Sequence, residues 1–315
     1  ITARICGICP VAYQMSAVAA VENAYSFEPS SAVKLLRRLL YCGEWIESHT
    51  LHVYMLHAPD FFGLDDAIAL SKKFPGVLER GLKLKKSGNS IGAILGGREV
   101  HPINVKVGGF YKFPKKESLK ALRNELENSI PLALETIDWV SKIQFPEFKR
   151  NYDYVALRES SLVKNDTLKY PMERGRIVSS SGLDIDVCDY ENHFEEIHVA
   201  ETNALHSKRI DGGYYFVGPL ARCNLNRDRL SGVAGQQVER LGLEDGCNNP
   251  YKSILIRAIE VLYALEEAVN ILTALENDST LLLEKPFGSY TETSSVGYGA
   301  TEAPRGLLYH RYKID

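Results

Sequence analysis

The stretch Arg4-Ile5-Cys6-Gly7-Ile8-Cys9-Pro10 lies almost at the start of the chain and leads directly into an apolar, helix-like segment. Two cysteines separated by two residues can aim both sulfurs at one point, because Gly7 allows a tight turn between them. Pro10 suits the first turn of the helix that follows. The spacing by itself favours a zinc half-site or a dithiol redox pair, since a lone C-x-x-C is common.

The bulk composition indicates an ordinary globular protein. The chain has 315 residues, of which 45% are hydrophobic and 24% charged, with a formal net charge of −3. This charge gives no electrostatic reason to expect a nucleic-acid partner. No segment approaches eighteen uncharged apolar residues and none resembles a signal peptide, so we expect no membrane span and a cytoplasmic location. Six cysteines are too few for a disulfide scaffold at this length.

Helical patterns dominate the first half of the chain. Apolar spacing predicts a helix over 11–24 and a longer one that begins at Ser30 or Ser31, runs towards His57 and is ended by Pro59. It further predicts one or two helices over 64–84, split near 74–76, and a helix over 118–140 kinked at Pro131. The glycine-rich stretch 88–113 is expected to be irregular or to form short strands.

The second half of the chain alternates between predicted strands and predicted helix. Strands are expected at 152–157, 176–178, 183–187 and 214–217, a helix begins at Asn249-Pro250, and the close of the chain reads as loops with short strands. The fold class is therefore mainly α (α+β), with a long-helix bundle core and a small β-rich lobe. We expect one incomplete domain made of 1–150 (mostly helical), 151–223 (β-rich), 224–287 (helical) and 288–315 (loops and short strands lining the site).

Near the other end of the chain, Glu302-Ala303-Pro304-Arg305-Gly306 reads in isolation as a tight turn with a solvated arginine. Together with Arg-Ile-Cys-Gly-Ile-Cys-Pro-Val, and in this order, it resembles the motifs of nickel-iron hydrogenase large subunits. The resemblance implies that Cys6 is a terminal nickel thiolate and Cys9 a thiolate bridging nickel and iron. It implies that Arg305 overhangs the metals, while Ala303 and Pro304 line the pocket for the carbonyl and cyanide ligands of iron. Soft thiolates suit both metals.

Other segments extend the resemblance. The histidine-rich helix from Ser48 to Asp60 is similar to one beside the family's active site, and His49 and His52 share a face at helical spacing. Metal binding there is conceivable, but we interpret them as supporting or core histidines. The segment around His101 resembles the family's glycine-arginine-histidine-proline loop. There His101 would either help an electron or proton path towards the partner subunit or simply form part of a capped turn. Tyr13 stands where many members have histidine, and could donate a hydrogen bond to a thiolate.

The resemblance also implies an activity and partners. The expected reaction is reversible heterolytic cleavage of H2, with electrons passed to iron-sulfur clusters in a separate small subunit. The sequence around Cys9 resembles that of the sulfhydrogenase or NAD(P)-linked branch of the family. This implies diaphorase-like partners that use NAD(P) or sulfur. The family's second cysteine pair, in D-P-C-x-x-C, is absent. We therefore expect a fragment that lacks both ends and is inactive alone.

Three other readings remain open. A thiol-disulfide oxidoreductase would use Cys6 and Cys9 without metal and predicts a central sheet beside them. A zinc-stabilised binding module needs a second closely spaced ligand pair, which the sequence does not provide convincingly. A non-catalytic homologue, such as the related subunit of a quinone-linked respiratory complex, would have lost both cysteines.

Overall fold

The computed structural model describes residues 1–159, 169–230, 232–278 and 295–314. Helices dominate these ranges. They are α1 (Pro10–Ala24), α2 (Ser31–Leu51), α3 (Ala58–Phe61), α4 (Ala67–Lys73), α5 (Val77–Gly96), α6 (Lys116–Glu127), α7 (Ile130–Val140), α8 (Tyr190–His193), α9 (Pro219–Asn226), α10 (Gly232–Arg240) and α11 (Ser253–Asn277). The predicted helices over 11–24 and after Asn249-Pro250 are confirmed.

Helices α2, α5 and α11 form the centre of the molecule. Helix α11 is buried along most of its length, and Leu262 and Leu265 are fully inaccessible. Helices α2 and α5 approach at two glycines. A Cβ atom on Gly88 would stand 2.7 Å from the carbonyl oxygen of Gly43, so only glycine permits this spacing.

The long helix after Ser30 differs from the prediction. Its α-helical part ends at Leu51, a π-helical turn spans His52–His57, and α3 carries the chain through Pro59 to Phe61. Pro59 was expected to end the helix, and this was wrong. It lies in α3, directly after the π-helical turn, and helical backbone continues on both sides of it.

Two further predictions need correction. The expected irregular stretch from Gly88 is helical as far as Gly96, because its glycines serve close helix packing rather than a turn. The expected kink at Pro131 is a break at Asn128 and Ser129 between α6 and α7, with Pro131 in the first turn of α7. The split between α4 and α5 near Pro75 is confirmed.

The sheets within the described ranges are small and antiparallel. Their strands are β1 (Val105–Lys106), β2 (Gly109–Phe110), β3 (Val155–Arg158), β4 (Arg176–Ser179), β5 (Asp184–Ile185), β6 (Phe194–Val199), β7 (Thr202–Arg209), β8 (Ser295–Ala303) and β9 (Gly306–Ile314). Strands β3, β4 and β5 form a three-stranded sheet, with Leu157 opposite Ile177. The β6–β7 hairpin was not predicted. The strand expected at 214–217 is replaced by a single bridge between Phe216 and Tyr154.

The last described segment is a β-hairpin of two nine-residue strands, β8 and β9, rather than the loops and short strands expected there. Residues 288–294 of that prediction lie outside the described residues. Strand β8 lies directly on α1. Gly297 and Gly299 make this possible, because a Cβ atom at either would overlap the α1 backbone at 1.9 Å and 2.3 Å respectively. Long strands form because the helix supplies a surface to cover.

The predicted fold class, mainly α with a small β-rich part, is confirmed. The subdivision of the chain at 150, 223 and 287 stays a prediction. In the described part of the chain, no helix combines the length and the apolar character that crossing a bilayer requires.

Candidate metal centre

The two cysteines of the opening motif lie side by side. Cys9 forms the N-cap of α1, and its Sγ lies 2.9 Å from the Sγ of Cys6. The backbone N–H groups of Ile8 and Cys9 each donate to Cys6 Sγ over 3.3 Å. Both side chains are half-buried and neither forms a disulfide. The turn through Gly7 thus presents two sulfurs to one point.

The two thiols differ in acidity. Burial opposes ionisation of Cys6, but the donors from Cys9 and Ile8 and the positive charge of Arg305 outweigh it and lower the pKa of Cys6. Burial raises the pKa of Cys9, and the neighbouring Cys6 and Glu44 add to this rise. Cys6 is therefore the sulfur more ready to lose its proton.

Glu44 holds the motif against the helical core. Its carboxylate, on α2, accepts N–H bonds from Val11 at 2.6 Å and from Ala12 at 3.1 Å. These groups lie in the first turn of α1, where no earlier carbonyl can accept them. The glutamate is buried, and burial raises its pKa. The negative charge of a carboxylate at a helix N-terminus also interacts favourably with the helix dipole.

Arg305 lies at the tight turn between β8 and β9. Glu302, Ala303 and Pro304 before it are buried, whereas Arg305 itself is exposed. Its positive charge contributes to the lowered pKa of Cys6 and opposes the rise in the pKa of Cys9, so Arg305 lies within electrostatic reach of both sulfurs. The structure therefore brings together the sequence-predicted residues from the two ends of the described chain.

A fully buried arginine, Arg222 on α9, lies beneath this turn. Its guanidinium binds the Glu260 carboxylate through two 2.8 Å bonds and donates to the carbonyls of Ala303 and Pro304, both at 2.9 Å. It also pairs with Glu302 at 3.0 Å. Burial raises the pKa of Glu302 to about 7, although Arg222 opposes the shift.

The histidines of α2 and the π-turn form a layer beside the turn. His49 is fully buried, with Nε2 at 2.9 Å from Glu260 and Nδ1 at 3.4 Å from an Nη1 of Arg257. His52 and His57 share a hydrogen bond of 3.2 Å between their Nε2 atoms. Burial, reinforced by Arg257, lowers the pKa of His52 to about 2 and that of His57 to about 4, so both are neutral at pH 7.

The structure also describes the surroundings of Tyr13 and His101, which the sequence singled out. The ring of Tyr13 packs edge-on against His310 at 5.7 Å, and no hydrogen bond joins its hydroxyl to a sulfur among the described residues. Burial raises the pKa of Tyr13, and the two cysteines add to the rise. His101 adopts a left-handed backbone, with φ of 55°, and its Nδ1 lies 2.6 Å from the carbonyl oxygen of Ala3.

The chemistry of the donors suits a nickel-iron centre in part. Cys6 and Cys9 are soft sulfur ligands with adjacent positions and N–H groups that stabilise a thiolate. Within residues 1–159, 169–230, 232–278 and 295–314, no group of three or more histidine, cysteine, aspartate or glutamate side chains is placed to hold a metal. Among the described residues, the metal-binding donors that the sequence predicted are therefore limited to the two sulfurs of Cys6 and Cys9.

Sequence reasoning missed Glu44, Arg222 and Arg257, and also Trp45, whose Nε1 donates to the carbonyl of Glu302 at 3.0 Å. A signal was present for some of them. Arg257 and Glu260 are charged residues three apart within the apolar stripe of α11, and Glu44 interrupts the apolar face of α2. Charges in such positions are rarely buried unless they are paired, so they indicate a buried polar network.

Comparison with known proteins agrees with these observations. Residues 1–74 match the family model described as nickel-dependent hydrogenase. Sulfhydrogenase 2 subunit alpha of Pyrococcus furiosus is 33% identical over 315 residues, which cover 99% of this chain and 71% of that protein. The beta subunit of the NAD-reducing hydrogenase HoxS of Cupriavidus necator is 26% identical over 347 residues, covering 99% of this chain and 70% of the relative.

The fold is likewise that of a solved structure. A chain of the NAD+-reducing [NiFe]-hydrogenase in the H2-reduced state superposes with a TM-score of 0.87 at 21% sequence identity. The match covers 99% of this chain and 73% of that one. At this level of identity the likeness concerns the fold alone.

Proposed function

Since the chain belongs to the nickel-dependent hydrogenase family, as a large subunit and an oxidoreductase acting on H2, we propose that Cys6 and Cys9 are its ligands to a nickel-iron centre. The reaction is the reversible heterolytic cleavage of H2 into protons and electrons. The observation that carries this proposal is the convergence of the two sulfurs, 2.9 Å apart, with the charge of Arg305 acting on both.

Each of these residues has a proposed role. Cys6 would hold nickel as a terminal thiolate, and Cys9 would be a thiolate ligand of both nickel and iron. The N–H groups of Ile8 and Cys9 that donate to Cys6 Sγ stabilise its thiolate form, as a ligand requires. Ala303 and Pro304 line the space for carbonyl and cyanide ligands of iron, with the permanent positive charge of Arg305 next to it.

Residues of this chain would also accept the proton that is released when H2 is cleaved. When bound, a nickel-iron centre supplies Lewis acidity that polarises H2 and a place for its two electrons. The Sγ of Cys6, as a thiolate, would receive the proton. Arg305 could do so in its place only after its guanidinium had given up a proton of its own. The neutral histidines His49, His52 and His57 add no charge beside Arg305, because burial lowers the pKa of each to about 4 or below.

The proposed partner is an iron-sulfur small subunit that receives the electrons. This chain has six cysteines, of which only Cys6 and Cys9 are close in sequence, too few to hold a cluster of its own. Similarity to a sulfhydrogenase subunit and to a subunit of an NAD-reducing enzyme supports further diaphorase-like partners that use NAD(P) or sulfur. The cytoplasmic location stays a prediction.

The test is a Cys9→Ser variant of the full-length subunit in complex with its partners. Serine keeps the size of the side chain but is a hard ligand that seldom bridges nickel and iron. We expect loss of bound nickel and iron, loss of the infrared bands of carbonyl and cyanide, and no H2-dependent dye reduction. Cys188→Ser, at an exposed cysteine, is the matched control and keeps all three.

Hydrogen turnover in the Cys9→Ser complex would contradict the bridging role. Dithiol-disulfide exchange by an unchanged complex that binds no nickel would instead favour a thiol redox protein. An unchanged complex with neither metal nor redox activity would favour a non-catalytic homologue.

A further inference from the structure

We propose that Arg222 is a positioning residue: by holding the carbonyl groups of Ala303 and Pro304, it sets the place of Arg305 over Cys6 and Cys9. The inference rests on the proposed role of Arg305. It assigns a function to a side chain that touches neither the sulfurs nor H2.

The hydrogen bonds of Arg222 leave it no alternative position. Nε and Nη2 donate to the two oxygens of Glu260, each at 2.8 Å. Nη1 donates to Glu302 at 3.0 Å and to the carbonyl of Ala303 at 2.9 Å, and Nη2 donates to the carbonyl of Pro304 at 2.9 Å. A guanidinium has five N–H donors, so all five are used. Each bond lies in a fully buried site, where an unpaired donor or acceptor is costly.

The indole of Trp45 also contacts Arg222 and binds the turn. Its ring lies 4.4 Å from the Arg222 guanidinium carbon, and its Nε1 donates to the carbonyl of Glu302 at 3.0 Å. Three consecutive carbonyls, of Glu302, Ala303 and Pro304, are therefore held by side chains from α2 and α9. The backbone just before Arg305 is fixed to the helical core.

Arg305 itself has no such support. Within the part of the chain that the structure describes, its side chain makes no hydrogen bond or ion pair. Its carbonyl presses against Gly218 at the start of α9, where a Cβ atom would stand 2.6 Å away. The position of its side chain consequently depends on where the backbone is held, and α9 holds it through Arg222 and Gly218.

Lysine cannot replace Arg222, because an ammonium has three donors and cannot reach two carboxylates and two carbonyls in one plane. In the Arg222→Lys variant of the full complex we expect kcat for H2 oxidation per bound nickel to fall about tenfold to a hundredfold, since small misplacements of a working group cost this much. The KM for H2 should change little. Amide hydrogen exchange across 300–306 should become faster, with nickel content retained.

Arg38→Lys is the matched control. Arg38 is also buried and uses its donors on Glu267, Glu173 and groups of two tyrosines, none of which belongs to the 302–306 turn. This variant should lose thermal stability to a similar degree. Its kcat per bound nickel and its exchange across 300–306 should remain those of the unchanged complex.

A decrease in kcat per nickel that is equal in the two variants, or unaltered exchange across 300–306 in Arg222→Lys, would overturn the positioning role. If Arg222→Lys does not fold, Trp45→Phe replaces it. This substitution removes the donor to the carbonyl of Glu302 and leaves a smaller ring beside Arg222, so it should speed exchange across 300–306 and lower kcat to a smaller extent. Unchanged values in that variant would likewise overturn the proposal. Absence of H2 turnover in the unchanged complex would refute the proposed function instead.

Discussion

Gly299 of β8 lies so close to α1 that a Cβ atom on it would stand 2.3 Å from the carbonyl oxygen of Ser16. Helix α1 begins directly after Cys9, and β8 ends at Ala303, two residues before Arg305. This backbone contact therefore brings the strand that leads to Arg305 against the helix that follows the cysteine pair, although nearly 300 residues separate them in the chain.

A Gly299→Ala substitution should separate the hairpin from α1. The added methyl group meets backbone rather than a flexible side chain, so we expect the free energy of unfolding to fall by about 3 kcal/mol. Urea unfolding measures this. Gly212→Ala is the control, since its Cβ would meet nothing closer than 3.6 Å. Equal effects of the two substitutions would show that the close approach of β8 to α1 is unimportant.

Removing the Glu44 carboxylate should loosen the start of α1. Glu44→Leu leaves the N–H groups of Val11 and Ala12 without their buried acceptor, so we expect a loss of about 2–3 kcal/mol in the free energy of unfolding. Glu47→Leu, which removes only a partly exposed ion pair with Lys85, should cost less than about 1 kcal/mol. The same stability for both variants would contradict the capping role of Glu44.

The two thiols should differ in reactivity in the metal-free, full-length subunit. Thiolates are the nucleophilic form, and the pKa is lowered for Cys6 and raised for Cys9. Iodoacetamide at pH 8 should therefore modify Cys6 faster than Cys9, as peptide mass spectrometry can show. Cys9→Ala removes a donor to Cys6 and should slow its modification. Faster modification of Cys9 would mean that the asymmetry is wrong.

His49 should make the fold sensitive to acid. Its Nδ1 accepts from Arg257, so protonation there would displace a buried cation. Burial lowers the pKa of His49 from 6.5 to about 4. Between these values the unfolded chain binds the proton and the folded chain does not, so the free energy of unfolding falls as the pH drops from 6.5 to 4. The shift corresponds to about 3 kcal/mol at this one residue.

Thermal or urea unfolding at several pH values checks this dependence. His49→Gln should flatten the slope between pH 6.5 and 4, whereas His198→Gln, at an exposed position, should leave it as it was. A slope that is unaffected by His49→Gln would assign the acid sensitivity to other groups.

The sequence predicted the local elements well where one pattern acted alone. The helix after Cys9 and the helix after Asn249-Pro250 follow from apolar spacing and a proline at the start, and both are present. Prediction failed where distant contacts altered the local preference. Gly88 reads as a helix breaker, but it lies within α5 because α2 needs a surface without a side chain there.

The candidate site likewise has residues that the sequence predicted and residues that it did not. The family resemblance carried by the two motifs predicted that Cys6, Cys9, Ala303, Pro304 and Arg305 act together. Nothing local predicted that Arg222 would hold the turn, because its partners come from α11 and from β8 and the turn after it. Such a pairing depends on which elements pack together, and single-sequence spacing carries no information about that.

The sequence by itself determined the chemistry of the donors: soft sulfurs three positions apart, a helix beginning beside them, and a permanently charged arginine at a turn. These properties are local, because they depend on residue type and on neighbours within a few positions. The tertiary structure alone decided that these pieces meet, since the approach of β8 to α1 and the five bonds of Arg222 join segments far apart in the chain. It also decided the acidity of each thiol, because burial and the field of Arg305 exist only in the folded protein.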